Sequence, residues 1–352
     1  MSQQQSSLPP RTAARQSTNQ SKQKQKKRRP VLKTSLILLF GLLILVAATI
    51  AYLYVIANDA IGDMQIGVDD EEQQEITVPA KESVKNKAVA FAILGLDSRE
   101  NGGGLNTDVM MVAALNPDTK KAVVVSIPRD AYISADGYKA RKANGFYAAL
   151  YNQAISEKLD KTAAKANAMQ HMRTMLGNYF DIDIKYTTTI NFKGFTDVID
   201  ALGGVEVNVD MRMKYTDNAD GTRIDLQPGF QKLTGDQALD YVRYRKSNDG
   251  KNMSSDFDRN KRQGEVVGAM VDRMVSLGGI FKINKVVDAV SSNVKIDMPK
   301  KEIENMLKTY SAIKRSDITF ITLDGNWRSP YVYIDDSSLS DTKSQLQSVM
   351  GQ

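Results

Sequence analysis

The 352-residue chain contains no cysteine and only one histidine. The first absence excludes thiol catalysis, disulfide stapling and any thiolate-bound metal cluster. The second leaves little room for imidazole chemistry. His171 lies in KTAAKANAMQHMRTMLGN, a helical stretch closed by Gly177, and reads as a packed or solvated helix residue. There is no GxSxG elbow, so nothing supports a Ser/His/Asp hydrolase. Also missing are a GxxxxGK[ST] phosphate loop, a strand–GxGxxG–helix unit and any internal repeat.

Acidic residues are absent from residues 1–34, which carry nine lysines and arginines. Such a stretch cannot bury enough apolar surface to offset its ordering entropy, so it is expected to be a disordered basic tail. Subtracting the tail's +9 from the net +6 leaves −3 for the rest of the chain. The basic pI therefore belongs to the tail, and no nucleic-acid partner is expected. Charge of either sign is missing from Thr34 to Asn58. Residues 35–57 read as one transmembrane helix spanning roughly 34 Å, against a hydrocarbon core of roughly 30 Å. The run is longer than a signal-peptide core, and Tyr52 and Tyr54 suit an interfacial belt near its far end. The positive-inside rule then gives a single-pass protein of the cell membrane, with its N-terminus cytoplasmic and its bulk extracellular. Residues 58–87, rich in Asp and Glu, read as an acidic stalk, and 88–350 as one folded domain.

Within that domain AVAFAILGL (88–96), DVMMVAALN (108–116) and KAVVVSIP (121–128) are short apolar runs, as expected of strands buried on both faces. NPDTK is turn chemistry, and the segment from Asp97 to Thr107 is too short for a helical crossover. The three strands are thus expected to form an antiparallel meander. Later strands, IKYTTTINF, VEVNVD and DITFITL, alternate with helical stretches, among them one opened by Thr234 and Gln237 at capping-box spacing and others near 284–292, 300–312 and 339–349. The fold class expected is α/β: a central mixed β-sheet flanked by helices on both faces, in three layers.

The meander brings Asp97, Arg99, Asp108 and Arg129 to one edge. Paired carboxylates suit a hard cation, and guanidinium forks match phosphate oxygens. From these residues alone, such a site and a rim of surface ion pairs both remain open. Two further clusters favour the site. YVRYR sets Arg243 and Arg245 on one face of an extended chain. In DFDRNKRQGEVVGAM, Arg259, Arg262 and Gln263 continue the helical stripe of Val266 and Met270, so the arginines point inward. Desolvated guanidinium groups need anions. Asp258 is one internal partner, but the nearby acids are too few for all of them, which points to an anionic ligand. Gly102 to Gly104 read as a mobile connector or lid rather than a phosphate cradle.

In order, ILGLDSR, TDVMMVAALNP, VSIPRDAYI, FTDVIDALGGVEV, L.PG...L.G.QAL.YVRYR and D.DRNKRQ resemble the LytR-CpsA-Psr family of cell-wall enzymes over roughly residues 88–275. The resemblance implies a magnesium-dependent phosphotransferase (manganese being the other metal considered). Its substrate would be an anionic glycopolymer, a teichoic acid or a capsular or exopolysaccharide, carried on polyprenyl pyrophosphate. The acceptor would be the primary hydroxyl of muramic acid in peptidoglycan. Matched position by position, Asp97 and Asp108 are the implied metal ligands, and Arg99, Arg129, Arg243, Arg245, Arg259, Arg262 and Gln263 the pyrophosphate pocket. Arg99 and Arg129 are also implied in catalysis, with Asp130 or Asp258 as candidates for the hydroxyl proton. Asn106 departs from the family pattern, which has an arginine two residues before the second metal acid. Helix faces near 145–176 and 264–275 are candidates for a polyprenyl groove, with core packing as the default for both. A pyrophosphatase using the same site with water, and a non-enzymatic membrane-bound regulator or attenuator, are the alternatives.

Overall fold

The structure is a computed structural model; it describes residues 78–97, 105–218, 221–276 and 293–352. All of these fall in the second of the chain's two units, Leu53–Gln352. The predicted tail, membrane span and most of the stalk lie outside the described residues, as does a helix predicted near 284–292. Among the described residues no helix is long and apolar enough to cross a membrane.

Strands β1 (Val89–Leu96), β2 (Thr107–Leu115) and β3 (Ala122–Ser126) form the predicted antiparallel meander, with Val89 opposite Leu115 and Met111 opposite Ser126. The Asn116 side chain makes the second turn by accepting from the backbone N–H groups of Asp118 and Thr119 at 2.9 and 3.0 Å. A short ribbon follows, β4 (Tyr132–Ile133) with β5 (Arg141–Lys142). Helices α1 (Phe146–Ser156) and α2 (Lys161–Phe180) then carry the chain across the sheet, α2 being capped by the Asp160 carboxylate. That crossover lets β6 (Ile184–Asn191) lie parallel to β1.

Helix α3 (Phe192–Ala201) stops at Gly203 and Gly204, whose φ values of 76° and 91° suit glycine. Strands β7 (Val205–Val209), β8 (Met213–Thr216), β9 (Arg223–Leu226) and β10 (Gly229–Leu233) make two small ribbons, β7 with β10 and β8 with β9. Helix α4 (Gly235–Arg243) opens on the predicted capping box of Thr234 and Gln237. After α5 (Asp256–Ser276) come β11 (Val294–Ile296), α6 (Lys300–Tyr310), β12 (Ile318–Thr322), the hairpin β13 (Gly325–Arg328)–β14 (Tyr331–Ile334), and α7 (Asp336–Met350). The main sheet runs β11-β6-β1-β2-β3-β12 and is mixed: β6 is parallel to β1 and β12 to β3, and the other neighbours are antiparallel.

Strand alternation assigns the two faces. Leu94, Met110, Val112 and Val125 meet Phe146 of α1, Met172 and Leu176 of α2 and Leu346 of α7. Met111, Ala113 and Val124 point the other way, where Val267 of α5 packs among the half-buried Phe91, Ile93 and Phe320. Fully burying a side chain of this kind stabilises by roughly 1.5–3 kcal/mol, so the meander is a rigid base for its loop ends. The folded body also begins earlier than expected. Ser83 and Val84, read from composition as stalk, are buried, and both donate to the Glu302 carboxylate at 2.7 Å.

Candidate active site at one edge of the sheet

The meander delivers its polar ends as the topology requires. The Asp97 N–H donates to the Asn106 carbonyl at 3.1 Å, so the end of β1 and the start of β2 are held side by side. The register of this pair shifts between Gly95 and Leu96, a local irregularity of the kind that re-aims side chains. A Cβ at Gly95 would lie 2.8 Å from that of Val109, so the two strands approach too closely there for any larger residue. Just beyond β3, Arg129 donates through Nη1 to Asp108 Oδ1 at 2.8 Å. Its buried Nε lies 3.8 Å from Asp130 Oδ2, beyond hydrogen-bond range, and has no hydrogen-bond partner. Lys142 reaches the other oxygen of Asp130 at 3.0 Å. Backbone bonds from Ala143 to Ala131 and from Asn144 to Arg129 hold this arrangement, and Thr107 Oγ1 donates to the Asn144 carbonyl.

Helix α5 enters the same edge with Arg259, which is buried and paired with Asp256. Burial, together with the charges of Arg245 and Arg129, pulls the Arg259 pKa down to about 10, against the opposing pull of Asp108 and Asp130. Three guanidinium groups thus share one electrostatic neighbourhood with a set of carboxylates. One turn on, Gln263 has a buried Oε1 without a partner, and so do Asn260 Nδ2 and Ser126 Oγ. Asn260 and Ser126 line a cavity of about 160 Å³ between α5 and the sheet. Buried polar groups are normally satisfied, so this edge is built for polar company.

The other expected residues divide. Arg99 and Gly102 to Gly104 lie outside the described residues. Arg245 is exposed, and Asn106 is exposed. Arg243 is half-buried, with its guanidinium carbon 4.5 Å from the Phe192 ring centroid. Neither Arg243 nor Arg245 has an acidic ion-pair partner among the described residues. Arg262 is another matter: it is 2% exposed and makes a two-pronged bond to Asp210 at 2.9 and 2.8 Å, with Ser254 Oγ at 2.8 Å. The expectation of too few acids overlooked Asp210, which arrives from the end of β7, 52 residues upstream. Asp258 is occupied in capping α5, accepting from Ser255 N–H and Oγ at 2.8 and 2.7 Å. Burial alone would raise its pKa, but those bonds and the charges of Arg262 and Lys261 outweigh it and hold the carboxyl low. His171 lies on the exposed side of α2, with Nδ1 3.1 Å from the Tyr138 hydroxyl. Residues on α1 and α2 that were candidates for a lipid groove mostly pack into the core.

Sequence reading offers Asp256 only as a helix cap, with no part in the site, and passes over Lys142. Asp256 carried a signal, standing three residues before Arg259 as a helical ion pair would. Lys142 carried none, because only the β4–β5 ribbon brings it to Asp130. Among the described residues no group of three or more potential metal donors occurs. Two carboxylates remain a suitable donor set for magnesium, which takes one or two and leaves other positions to water and phosphate.

Asp240 on α4 has a titration consequence. Burial pushes its pKa up to about 6, against the opposing charge of Arg243. A carboxyl raised in the folded state loses stability as pH climbs from about 4 through 6. Asp240→Asn is therefore expected to be more stable than the parent at pH 7.5, by about 1 kcal/mol once solvent screening is allowed for, and equal to it at pH 4. Thermal unfolding at both pH values checks this; a gap that did not change with pH would reject burial as the cause.

A model of the LytR_cpsA_psr family matches residues 51–348. Polyisoprenyl-teichoic acid–peptidoglycan teichoic acid transferase TagU of Bacillus mycoides is 29% identical over 267 residues, 75% of this chain and 79% of the relative. TagT of Bacillus subtilis, of the same transferase designation, is 28% identical over 324 residues, 89% of this chain and 92% of the relative. The crystal structure of B. subtilis TagV superposes with a TM-score of 0.59 at 26% identity, covering 75% of this chain and 98% of that one. With the family model spanning most of its length, this chain is a member of the LytR-CpsA-Psr family.

Proposed function

We propose that this chain transfers an anionic glycopolymer from a polyprenyl pyrophosphate carrier to a hydroxyl of peptidoglycan, the primary hydroxyl of muramic acid. The observation that carries this reading is the gathering of Arg129, Arg245 and Arg259 at one sheet edge beside Asp108 and Asp130. A buried guanidinium whose pKa is lowered by burial and by the charges of two neighbouring arginines is costly to a fold and well matched to a pyrophosphate. The relatives' transferase designation agrees with it.

In the proposed reaction the acceptor oxygen attacks the phosphorus that bears the polymer. A new P–O bond forms, the bond to the bridging oxygen breaks, and polyprenyl phosphate leaves with the electron pair. Arg129 and Arg259 offset the charge that accumulates on the phosphates, and their rigid forks keep the group aligned. The hydroxyl proton passes to a carboxylate oxygen. Asp130 is the better placed of the two acids expected from sequence, since Asp258 caps α5. Asp97 and Asp108 would hold magnesium or manganese; Arg129 takes Oδ1 of Asp108, which leaves Oδ2 for a metal. Such an ion would neutralise phosphate charge. The half-buried apolar face around Phe91, Ile93, Phe320 and Val267 suits a polyprenyl tail. Residues 35–57 would anchor the chain in the membrane with this site outside.

The test uses full-length protein in detergent micelles, a short-chain polyprenyl pyrophosphate carrying labelled sugar, and purified peptidoglycan, with and without magnesium or manganese. Label moving to peptidoglycan with release of polyprenyl phosphate, lost in Asp97→Ala, is the expected result. Hydrolysis to free sugar phosphate without transfer would favour the pyrophosphatase, and no turnover of either kind would favour the regulator.

A further inference from the structure

Trp327, the only tryptophan of the chain, is 57% exposed. Leaving so large an apolar ring in water forfeits its burial, and the position of the ring suggests a use. The hairpin that carries it is fastened to the site by backbone. Val332 N–H donates to the Asp130 carbonyl at 2.9 Å, and Val332 bridges Ala131. Lys142 Nζ, bonded to Asp130, lies 5.9 Å from the Trp327 ring centroid and 6.0 Å from that of Tyr331. The rings of Tyr132, Tyr331 and Tyr333 pack on one another with centroids 5.1 to 6.1 Å apart, which braces the tyrosine side, while Trp327 pairs opposite Val332 and shares Lys142 with Tyr331. Arg328 stands over Tyr333 at 5.8 Å and has no ion-pair partner among the described residues.

A pyranose ring has C–H faces that suit the negative face of an aromatic ring, while its hydroxyl edges stay wet. Cations beside those aromatic faces add attraction for a chain bearing phosphate or carboxylate. We propose that Trp327 and Tyr331 form a sugar subsite that stacks the first rings of the donor glycopolymer. Lys142 stands where the sugar meets phosphate, and Arg328 faces the polymer's negative charge further along. The occupant is the donor because its first sugar is already bonded to phosphate as it binds, which confines that ring to the neighbourhood of Lys142. This subsite rests on the transferase reading above.

Calorimetric titration of the full-length protein in micelles separates the possibilities. One donor probe is a short-chain polyprenyl pyrophosphate bearing a disaccharide, the other is the same pyrophosphate without sugar, and a muramic-acid glycan fragment is titrated separately as the acceptor. Trp327→Ala is expected to weaken the first by about tenfold, the scale of losing one buried aromatic contact, and to leave the second unchanged. Trp327→Phe is expected to recover most of the loss. In the parent protein the Trp327 fluorescence is expected to shift with the first probe only. Equal loss on both probes, or on neither, overturns the subsite while leaving the transferase standing. Loss confined to a muramic-acid glycan fragment assigns the rings to the acceptor and overturns the proposal. A parent protein that binds neither probe overturns the subsite and the transferase reading together.

Discussion

Arg259→Gln is expected to cut transfer by about 10²–10³-fold, the usual effect of removing one preorganised charge-stabilising donor, without lowering the melting temperature. The two halves of this expectation have one cause. Folding buries the Arg259 guanidinium near Arg245 and Arg129, and its pKa falls to about 10. A base whose folded pKa is depressed carries its charge against the folded state throughout neutral pH. Glutamine removes that cost and also loses the pair with Asp256, so the opposing changes leave stability near its starting point. Arg259→Lys is expected to restore less than half of the lost activity on a logarithmic scale, because lysine returns the charge without the planar fork. Steady-state kinetics and thermal unfolding on the same preparations check this. Near-parental activity in Arg259→Gln would remove Arg259 from the site, and a fall in melting temperature of many degrees would make it a structural residue.

How much of this was readable in advance depended on sequence distance. The meander was legible because its signals are local: apolar runs of strand length, the Asn116 turn, and a β1–β2 link too short for a helix. From it followed the meeting of Asp108 with Arg129, 21 residues apart. The capping box at Thr234 was legible for the same reason. The partner of Arg262 was not, because nothing near Arg262 reports that Asp210 ends a strand against α5. Lys142 was likewise silent, since its place at Asp130 depends on a two-residue ribbon that carries almost no periodicity. The boundary at Ser83 and Val84 was misread because composition records acidity, and the Glu302 carboxylate that receives both residues is more than 200 residues away. Nothing in the sequence marked the aromatic hairpin, and only its bond to Asp130 gives it a place beside the site.

Asp210→Ala is expected to destabilise the protein by about 3–5 kcal/mol, the cost of leaving a buried charge without its partner. The pair is unequal: the Arg262 side chain is 2% exposed and that of Asp210 is 44% exposed. Deleting Arg262 leaves a carboxylate that water can reach, so Arg262→Ala is expected to cost less than Asp210→Ala. Deleting Asp210 leaves the guanidinium its bond to Ser254, the rings of Tyr241 and Tyr244 and the charge of Asp258, which is engaged by Ser255. Arg262→Met combined with Asp210→Leu is expected to recover most of the loss, since apolar replacement of a buried pair is often neutral or better. Urea unfolding of the three variants gives the order. The double variant then decides what Arg262 does in the reaction. Arg259 sits one turn before Arg262 on α5, so an anchor that only positions the helix can be replaced by packing, and activity returns with stability. If stability returns and transfer does not, Arg262 reaches the pyrophosphate itself, and its bond to Asp210 is one that substrate displaces.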